Sequence, residues 1–124
     1  MSKKLVSLFL VLLMIFSMAT VMAESNTITV TDMFGREVTI EGTVTRIIAL
    51  EPSDCEMLCA IGCEDALVGR GKYCDYPASV LELPAVQSGK NTNLEEILAL
   101  QPQVVVMSDM AHTEEQINLL EQNG

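Results

Sequence analysis

After residue 46, short apolar runs alternate with segments of helical periodicity, and this order constrains the fold more than any other feature of the sequence. The apolar runs cover residues 47–50, 67–69, 85–86 and 104–107. Runs of this kind are typical of strands buried on both faces. Strands that alternate with helices favour a parallel sheet with right-handed crossovers. We therefore predict an α/β fold, a parallel Rossmann-like sheet flanked by helices.

The helix boundaries are predicted from capping patterns. Ser53 is a candidate N-cap for the first helix, with Glu56 at the capping-box spacing and Gly62 as the stop signal. Asn93 and Thr113 are candidate N-caps for two later helices. The apolar side chains of the first helix are predicted to be Met57, Leu58 and Ile61.

Two alternating segments precede these units. Residues 27–31 and 36–41 each alternate apolar and polar side chains, and residues 32–35 between them end in Gly35. This pattern predicts an N-terminal β-hairpin at an edge of the domain.

Residues 1–23 have the pattern of a cleavable signal peptide. Lys3 and Lys4 precede an apolar run over residues 5–18, and small residues lead to Ala23. At about 14 residues the run is shorter than the roughly 20 that span a bilayer as a helix. A retained membrane anchor and a buried core helix are the weaker alternatives. No cysteine lies near the predicted cleavage site, so a lipid anchor is disfavoured.

Charge restricts the partners of the remaining residues 24–124. Removal of Lys3 and Lys4 leaves five basic against 17 acidic residues, a net charge of −12. Such a surface opposes nucleic-acid binding, which depends on cations that displace counterions from phosphates. It also opposes docking on an anionic membrane.

The four cysteines are predicted to be buried small side chains. Cys55, Cys59 and Cys63 follow at four-residue intervals and would share one helix face, a geometry that does not suit disulfides among them. A disulfide from Cys74 to a helix cysteine stays open as an alternative. A metal cluster is the weakest possibility, because the sequence has no C-x-x-C pair and its one histidine, His112, is distant.

Ligands of open α/β sheets bind at the carboxyl ends of the strands. In this sequence those ends are the segments 51–54, 71–77, 87–92 and 108–113, and Tyr73 and Tyr76 lie in the second of them. Nucleotide-binding glycine motifs and a G-x-S-x-G motif do not occur. The sequence therefore favours a binding protein over an enzyme.

Several segments together resemble a known family. They are residues 46–53 (RIIALEPS), 67–69 (LVG), 73–77 (YCDYP), 83–84 (LP), 93–95 (NLE) and 98–105 (LALQPQVV), with the opening 30–36 (VTDMFGR). This combination is similar to the class III periplasmic binding proteins, the substrate-binding components of ABC importers for ferric siderophores, haem and cobalamin. The resemblance covers about residues 28 to 122.

The resemblance implies two α/β lobes joined by a long helix, with the ligand in the cleft between them. This sequence matches the first lobe, so we expect residues 24–124 to be an N-terminal lobe truncated before the linking helix and second lobe. The implied function is capture of a metal chelate in the periplasm or elsewhere outside the cytoplasmic membrane, and its delivery to ABC permease subunits. It implies no catalysis, no resident cofactor or metal, and no membrane insertion after signal cleavage.

By the same resemblance, the ligand would contact residues at the four strand ends. These are Glu51, Pro52, Ser53, Tyr73, Asp75, Ser88, Gly89, Asn91, Asp109, Met110 and His112. For haem, the candidate axial ligands are Tyr73, Met110 and His112, and for a siderophore Arg70 and Tyr73 are candidates.

The sequence departs from the family pattern at two positions. Ala78 stands where members usually carry a glutamate that docks on the permease, and Glu82 is the possible substitute. The segment 87–89 lacks the glycine pair commonly found there.

Two other functions are compatible with the sequence. One is an exported thiol redox protein that uses the cysteines, which would require an exposed thiol of low pKa. The other is a single-lobe interaction or sensor module without a transport ligand.

Overall fold

The computed structural model of the protein describes Lys3 and residues 26–124. The predicted signal peptide, residues 1–23, lies outside the described residues apart from Lys3. In the part that is described, no helix is long and apolar enough to cross a membrane.

The described chain contains six strands, three α-helices and three short 3₁₀ turns. The 3₁₀ turns cover Glu64–Ala66, Ala78–Glu82 and Gly89–Asn91. The strands and helices, in chain order, are β1 (Thr27–Thr31), β2 (Glu37–Glu41), β3 (Ile47–Ala49), α1 (Pro52–Ala60), β4 (Leu67–Gly71), β5 (Ala85–Val86), α2 (Leu94–Ala99), β6 (Val104–Val106) and α3 (Glu114–Gln122).

Strands β3 to β6 form a parallel sheet in the order β5-β4-β3-β6. Strands β1 and β2 form a separate antiparallel hairpin. Its turn is closed by Asp32, whose Oδ1 accepts hydrogen bonds from the backbone N–H groups of Phe34 (2.9 Å) and Arg36 (2.8 Å). Gly35 in this turn has φ of +75°, a conformation that glycine adopts without strain. The predicted parallel α/β fold and hairpin are both confirmed.

Successive side chains of a strand point to opposite sides of the sheet. Each face of the sheet therefore has its own apolar cluster. Ile47 and Ala49 of β3 belong to the apolar cluster that includes Cys55 of α1, and Ile48 and Leu50 belong to the cluster that includes Ile97 of α2. These four β3-segment residues are at most 8% exposed. Helices on both faces therefore explain why β3 has no polar side chain.

The first helix differs from its prediction. Glu51, not Ser53, occupies the N-cap position, Pro52 begins the helix, and no side chain caps it. Proline suits this first position because its missing N–H would have no partner there. Ser53 therefore lies inside the first turn, and the capping box with Glu56 does not form.

The apolar face of α1 was also predicted wrongly. Met57 is 58% exposed and Ile61, just beyond the helix, is 69% exposed. Leu58 packs against the core as predicted, together with Cys55 and Cys59. The small cysteine side chains therefore provide much of the face that α1 turns toward the sheet.

The two later N-caps agree with their predictions. Asn93 Oδ1 accepts from the N–H groups of Glu95 (3.1 Å) and Glu96 (3.4 Å). Thr113 forms a full capping box, in which Gln116 N–H donates to Thr113 Oγ1 (3.3 Å) and Thr113 N–H donates to Gln116 Oε1 (2.9 Å). Each cap satisfies backbone donors that a helix start leaves without partners.

Gly71 at the end of β4 leaves no room for a Cβ beside the backbone of Leu50, and this generates a stability prediction. A Cβ at Gly71 would lie 2.0 Å from the backbone oxygen of Leu50, whereas a Cβ at Gly69 would meet Leu100 Cδ1 at 2.6 Å. A leucine methyl group can move, but backbone of the central strand cannot. We expect Gly71→Ala to lower the free energy of unfolding by more than about 3 kcal/mol and Gly69→Ala by about 1 kcal/mol.

Urea unfolding followed by far-ultraviolet circular dichroism measures both values, with Gly69→Ala as the matched control. Equal losses for the two variants would contradict this account of the Gly71 contact.

Candidate functional site

The carboxyl ends of the four parallel strands lie along one edge of the sheet, as the strand order requires. Glu51 follows β3, Lys72 follows β4, Gln87 follows β5 and Met107 follows β6. The backbone ladder continues past the strand ends, because Lys72 N–H donates to Val86 O (3.0 Å) and Leu50 N–H donates to Val106 O (3.0 Å). This edge is the candidate site.

His112 joins three of the loops at this edge. Its Nδ1 lies 3.0 Å from Ser108 O, and its Nε2 accepts from Gly89 N–H at 3.3 Å. Glu51 Oε1 lies 3.7 Å from the same Nδ1. The imidazole is therefore in contact with the loops that follow β3, β5 and β6.

This hydrogen-bond pattern determines the tautomer of His112. A backbone carbonyl only accepts and a backbone N–H only donates, so the proton lies on Nδ1 and Nε2 carries the lone pair. The residue is 5% exposed. Both ring nitrogens form hydrogen bonds with backbone groups. His112 could therefore bind a haem iron through Nε2 only if its hydrogen bond with Gly89 were broken. In the structure His112 connects two loops through these hydrogen bonds, and its axial-ligand role stays a prediction.

A second buried contact lies beside this one. Ser88 is 7% exposed, and its Oγ would be 3.0 Å from a Cβ at Gly71. The loop after β5 therefore packs directly against the end of β4. Among the predicted site residues, the structure brings Ser88, Gly89, His112 and Glu51 into one supporting group.

The other predicted contact residues are on the surface. Tyr73 is 65% exposed and Met110 is 92% exposed, and the other exposed members are Ser53, Asp75, Asn91 and Asp109, with Pro52 half-buried. Within residues 26–124, no hydrogen bond or ion pair connects these residues to His112. Tyr76 is 66% exposed as well.

Arg70 stabilises the segment 71–74, which contains Tyr73, through hydrogen bonds to its backbone. Its Nη1 donates to the carbonyl oxygens of Cys74 (2.9 Å) and Gly71 (3.4 Å). These bonds bridge both ends of the segment 71–74. The guanidinium is therefore committed to the loop backbone, and its predicted contact with a siderophore is not supported by this geometry.

Three residues of the predicted strand-end segments, Lys72, Gln87 and Asp54, were not among the predicted ligand contacts. Lys72 Nζ lies 4.8 Å from the centroid of the Tyr73 ring and 3.1 Å from Gln87 Oε1. Asp54 in the first turn of α1 has Oδ2 buried without a hydrogen-bond partner. Burial raises the pKa of the Asp54 carboxyl above its ordinary value, and His112 partly opposes this effect. Lys72 lies in the predicted strand-end segment 71–77, and this placement was the signal in the sequence that pointed to it.

A groove of about 850 Å³ lies elsewhere, between the hairpin, the end of α2 and α3. Its lining includes Val38, Ile40, Leu98, Val105 and Ile117 but none of the predicted site residues. The strand-end edge remains the candidate site, because it combines buried polar support with exposed aromatic and charged side chains. In the described residues no three His, Cys, Asp or Glu side chains lie close enough to hold a metal ion.

Comparison with known proteins identifies the family. A family model described as "Periplasmic binding protein" matches residues 47–123, more than half of the chain. The chain belongs to this family of periplasmic binding proteins. The match assigns the chain to a class of binding proteins rather than enzymes.

Curated relatives of the chain are vitamin B12-binding proteins. That of Vibrio cholerae is 35% identical over 79 residues, which are 64% of this chain and 29% of the relative. That of Yersinia pestis is 43% identical over 61 residues, 49% of this chain and 22% of the relative. The chain therefore spans less than a third of the length of these relatives.

Solved structures include both haem- and vitamin B12-binding proteins. The heme binding protein HmuT is 26% identical with a TM-score of 0.68, over 79% of this chain and 32% of that protein. The periplasmic vitamin B12 binding protein BtuF of Vibrio cholerae is 35% identical with a TM-score of 0.59, over 64% of this chain and 31% of that protein. These matches confirm that the described fold is that of one lobe of such a protein.

The hydrogen bonds of His112 generate a prediction for the His112→Ala variant. Loss of the ring would leave Gly89 N–H without its acceptor and open a cavity between two loops. We expect a loss of about 2 kcal/mol in the free energy of unfolding and faster amide hydrogen exchange at Gly89. Asp109→Asn, an exposed change in the same loop, is the control and should alter neither quantity. Unchanged exchange at Gly89 in His112→Ala would disprove the supporting role.

The cysteines provide a test of the thiol redox alternative. All four thiols are free in the structure, and Cys55 and Cys74 are 0% exposed. Burial, with contributions from Cys74, raises the pKa of Cys55 to about 11, and burial also raises the pKa of Cys74. At pH 8 a thiol of pKa 11 is about 0.1% thiolate, the reactive form.

We expect a thiol reagent at pH 8 to label the native chain at Cys59 and Cys63, which are half-buried, and not at Cys55 or Cys74. In 8 M urea, a solvent condition that unfolds the chain, all four should react. Peptide mass spectrometry identifies the labelled residues. Fast native labelling at a single cysteine, whichever of the four it is, would restore the redox alternative.

Proposed function

We propose that this chain is the N-terminal lobe of an extracytoplasmic substrate-binding protein that serves an ABC importer of metal chelates. The observation that carries the proposal is the strand-end edge, where His112 joins three loops and Arg70 supports the fourth, and where Tyr73, Asp75, Asp109 and Met110 are exposed to solvent. The similarity to vitamin B12-binding and haem-binding proteins supports a chelate of the cobalamin or haem type, and a ferric siderophore is the third proposed type.

The rest of the proposal follows from this assignment. Residues 1–23 are a signal peptide that directs residues 24–124 to the periplasm or its extracytoplasmic equivalent. A second lobe joined by a long helix completes the cleft, and the match to less than a third of the relatives' length is consistent with a single lobe. Permease subunits dock on the outer surface, and Glu82, exposed in the 3₁₀ turn Ala78–Glu82, is the proposed docking residue.

Within the edge, the residues have two different roles. Buried Ser88 and His112, with half-buried Gly89, fix the loops, and half-buried Glu51 faces the imidazole. The exposed group contacts the ligand directly. Its proposed members are Pro52, Ser53, Tyr73, Asp75, Asn91, Asp109 and Met110.

Titration of the purified full chain with ferric haem, cyanocobalamin and ferrichrome tests the proposal. We expect at least one of them to bind with a dissociation constant of about 10 to 1,000 μM, because one wall of a cleft buries only part of a ligand. Absorbance reports haem binding, and calorimetry reports the other two.

Two tyrosine variants provide a matched comparison in the same titration. Tyr73→Ala should weaken binding two- to tenfold, the range expected for loss of one aromatic contact. Tyr76→Ala removes an equally exposed ring outside the proposed contact set and should leave the affinity unchanged. Absence of binding by all three compounds would favour the single-lobe interaction or sensor module instead.

A further inference from the structure

Three cysteine side chains lie together in the apolar cluster between α1 and the sheet, and the proposed function does not use them. Cys55 and Cys74 are buried members of this cluster, and Cys59 packs against it. The thiol of Cys55 is within hydrogen-bond reach of the thiols of both Cys74 and Cys59. Cys55 is therefore the central thiol of the three.

The position of Cys74 is fixed by the two central strands. Its Sγ lies 3.8 Å from the carbonyl oxygen of Ala49 at the end of β3. Its N–H donates to the carbonyl oxygen of Gly71 at the end of β4 (3.0 Å), and its own carbonyl oxygen accepts from Arg70 Nη1 (2.9 Å). Cys55 lies in α1, the helix that follows β3. The fold thus brings the two sulfurs together without any covalent bond between them.

Geometry favours Cys74 over Cys59 as the disulfide partner of Cys55. Cys55 and Cys59 are four residues apart on one helix, a spacing at which the two Cβ atoms are about 5 to 6 Å apart. A disulfide requires Cβ atoms about 3.5 to 4.5 Å apart. Cys74 belongs to a different element, the loop after β4, so the rigid helix spacing does not apply to it.

The loop after β4 is also the strand-end loop that lacks a contact with His112. His112 contacts the loops that follow β3, β5 and β6. In residues 26–124, none of the hydrogen bonds or ion pairs of His112 reaches the segment 71–77. A covalent bond from Cys74 to α1 would connect this loop to the element that begins directly after β3.

We propose that Cys55 and Cys74 form a structural disulfide that fastens the loop after β4 to α1. The disulfide rests on the proposed function in one respect, export from the cytoplasm, because disulfides persist in oxidising compartments. All four thiols are free in the structure, which is therefore that of the reduced chain. The bond encloses residues 55–74, and a cross-link of this kind stabilises a protein mainly by restricting its unfolded state.

The oxidant is itself a disulfide, for which glutathione disulfide is the probe. One thiolate of the pair attacks a glutathione sulfur and releases the first glutathione thiol. The other thiolate then attacks the protein sulfur of this mixed disulfide and releases the second. The protein loses two electrons and two protons, and the two glutathione thiols carry them away. Because Cys55 and Cys74 are 0% exposed in the folded chain, the exchange takes place during folding.

Refolding of the reduced full chain from urea, in a buffer of reduced and oxidised glutathione, tests the pairing. We expect a product that retains two free thiols, Cys59 and Cys63. Proteolysis and mass spectrometry without reductant should recover a peptide pair joined through Cys55 and Cys74. The Tm of this product should exceed that of the reduced chain by about 10 to 20 °C, as expected for a cross-link that closes a loop of this length in a small domain.

Two variants refolded in the same buffer provide matched controls. The double variant Cys59→Ser, Cys63→Ser contains only the proposed pair and should give the same cross-link and the same rise in Tm. Cys74→Ala leaves Cys55 with Cys59, which is also within reach of its thiol, and should give no disulfide within the chain.

The outcomes separate the disulfide from the proposed function. Four free thiols after refolding, a stable glutathione adduct at Cys55 or Cys74, or a Cys55–Cys59 link would overturn the disulfide. A cross-linked chain whose Tm is not raised would overturn its structural role. Each of these results leaves the chelate-binding function intact, because the ligand titrations use the reduced chain. Formation of the cross-link in a chain that binds none of the three chelates would overturn the proposed function alone.

Discussion

The complete burial of β3 is the constraint on which the rest of the structure depends. This strand pairs with β4 on one side and β6 on the other, and its two faces contribute to separate apolar clusters. No polar side chain can lie within it without a buried partner. The first polar residue after Leu50 is Glu51, and it lies where the sheet ends and α1 begins. The position of the candidate site thus follows from the length of the buried run.

The loops at that edge need more than the hydrogen bonds of His112 to hold one conformation. Two hydrogen bonds to a neutral imidazole contribute about 1 kcal/mol each, whereas ordering the backbone costs about 1 to 2 kcal/mol per residue. The His112 contacts alone cannot order loops of this length. The burial of Ser88 against Gly71, and the bonds from Arg70 to the segment 71–74, supply the remaining constraints. The contacts of His112, Ser88 and Arg70 therefore stabilise the edge together, and no single one is sufficient.

Features that depend on neighbouring residues could be predicted from the sequence, and those that depend on distant ones could not. The caps at Asn93 and Thr113 involve partners two or three residues away, so local patterns sufficed. Ser53 was placed wrongly because Pro52 can begin a helix by itself and moves the N-cap to Glu51. The strand ends were also predictable, since parallel sheets carry ligand loops at one edge.

The role of His112 could not be predicted, because its acceptor contact is with Gly89, 23 residues earlier in the chain. Likewise, the sequence shows that Lys72 and Tyr73 are adjacent but not that Gln87 holds the ammonium. Met57 and Ile61 were assigned to the core by helical spacing, although the nine-residue helix turns its cysteines inward instead. Which face of a short helix is buried depends on the sheet it meets.

Only the exposed side chains of this edge can contact a ligand, because His112 and Ser88 are buried, and this limits the affinity of the edge. Covering about 100 Å² of apolar surface on side chains such as Tyr73 and Met110 provides about 2.5 kcal/mol. Association costs at least about 4 kcal/mol in lost translational and rotational freedom, so a few contacts on one wall give weak binding at best. Tight capture of a ligand therefore needs a second surface that encloses it. The rigid backbone of the strand-end loops is suited to that arrangement, because a wall already ordered by His112, Ser88 and Arg70 loses little further entropy when a ligand is enclosed against it.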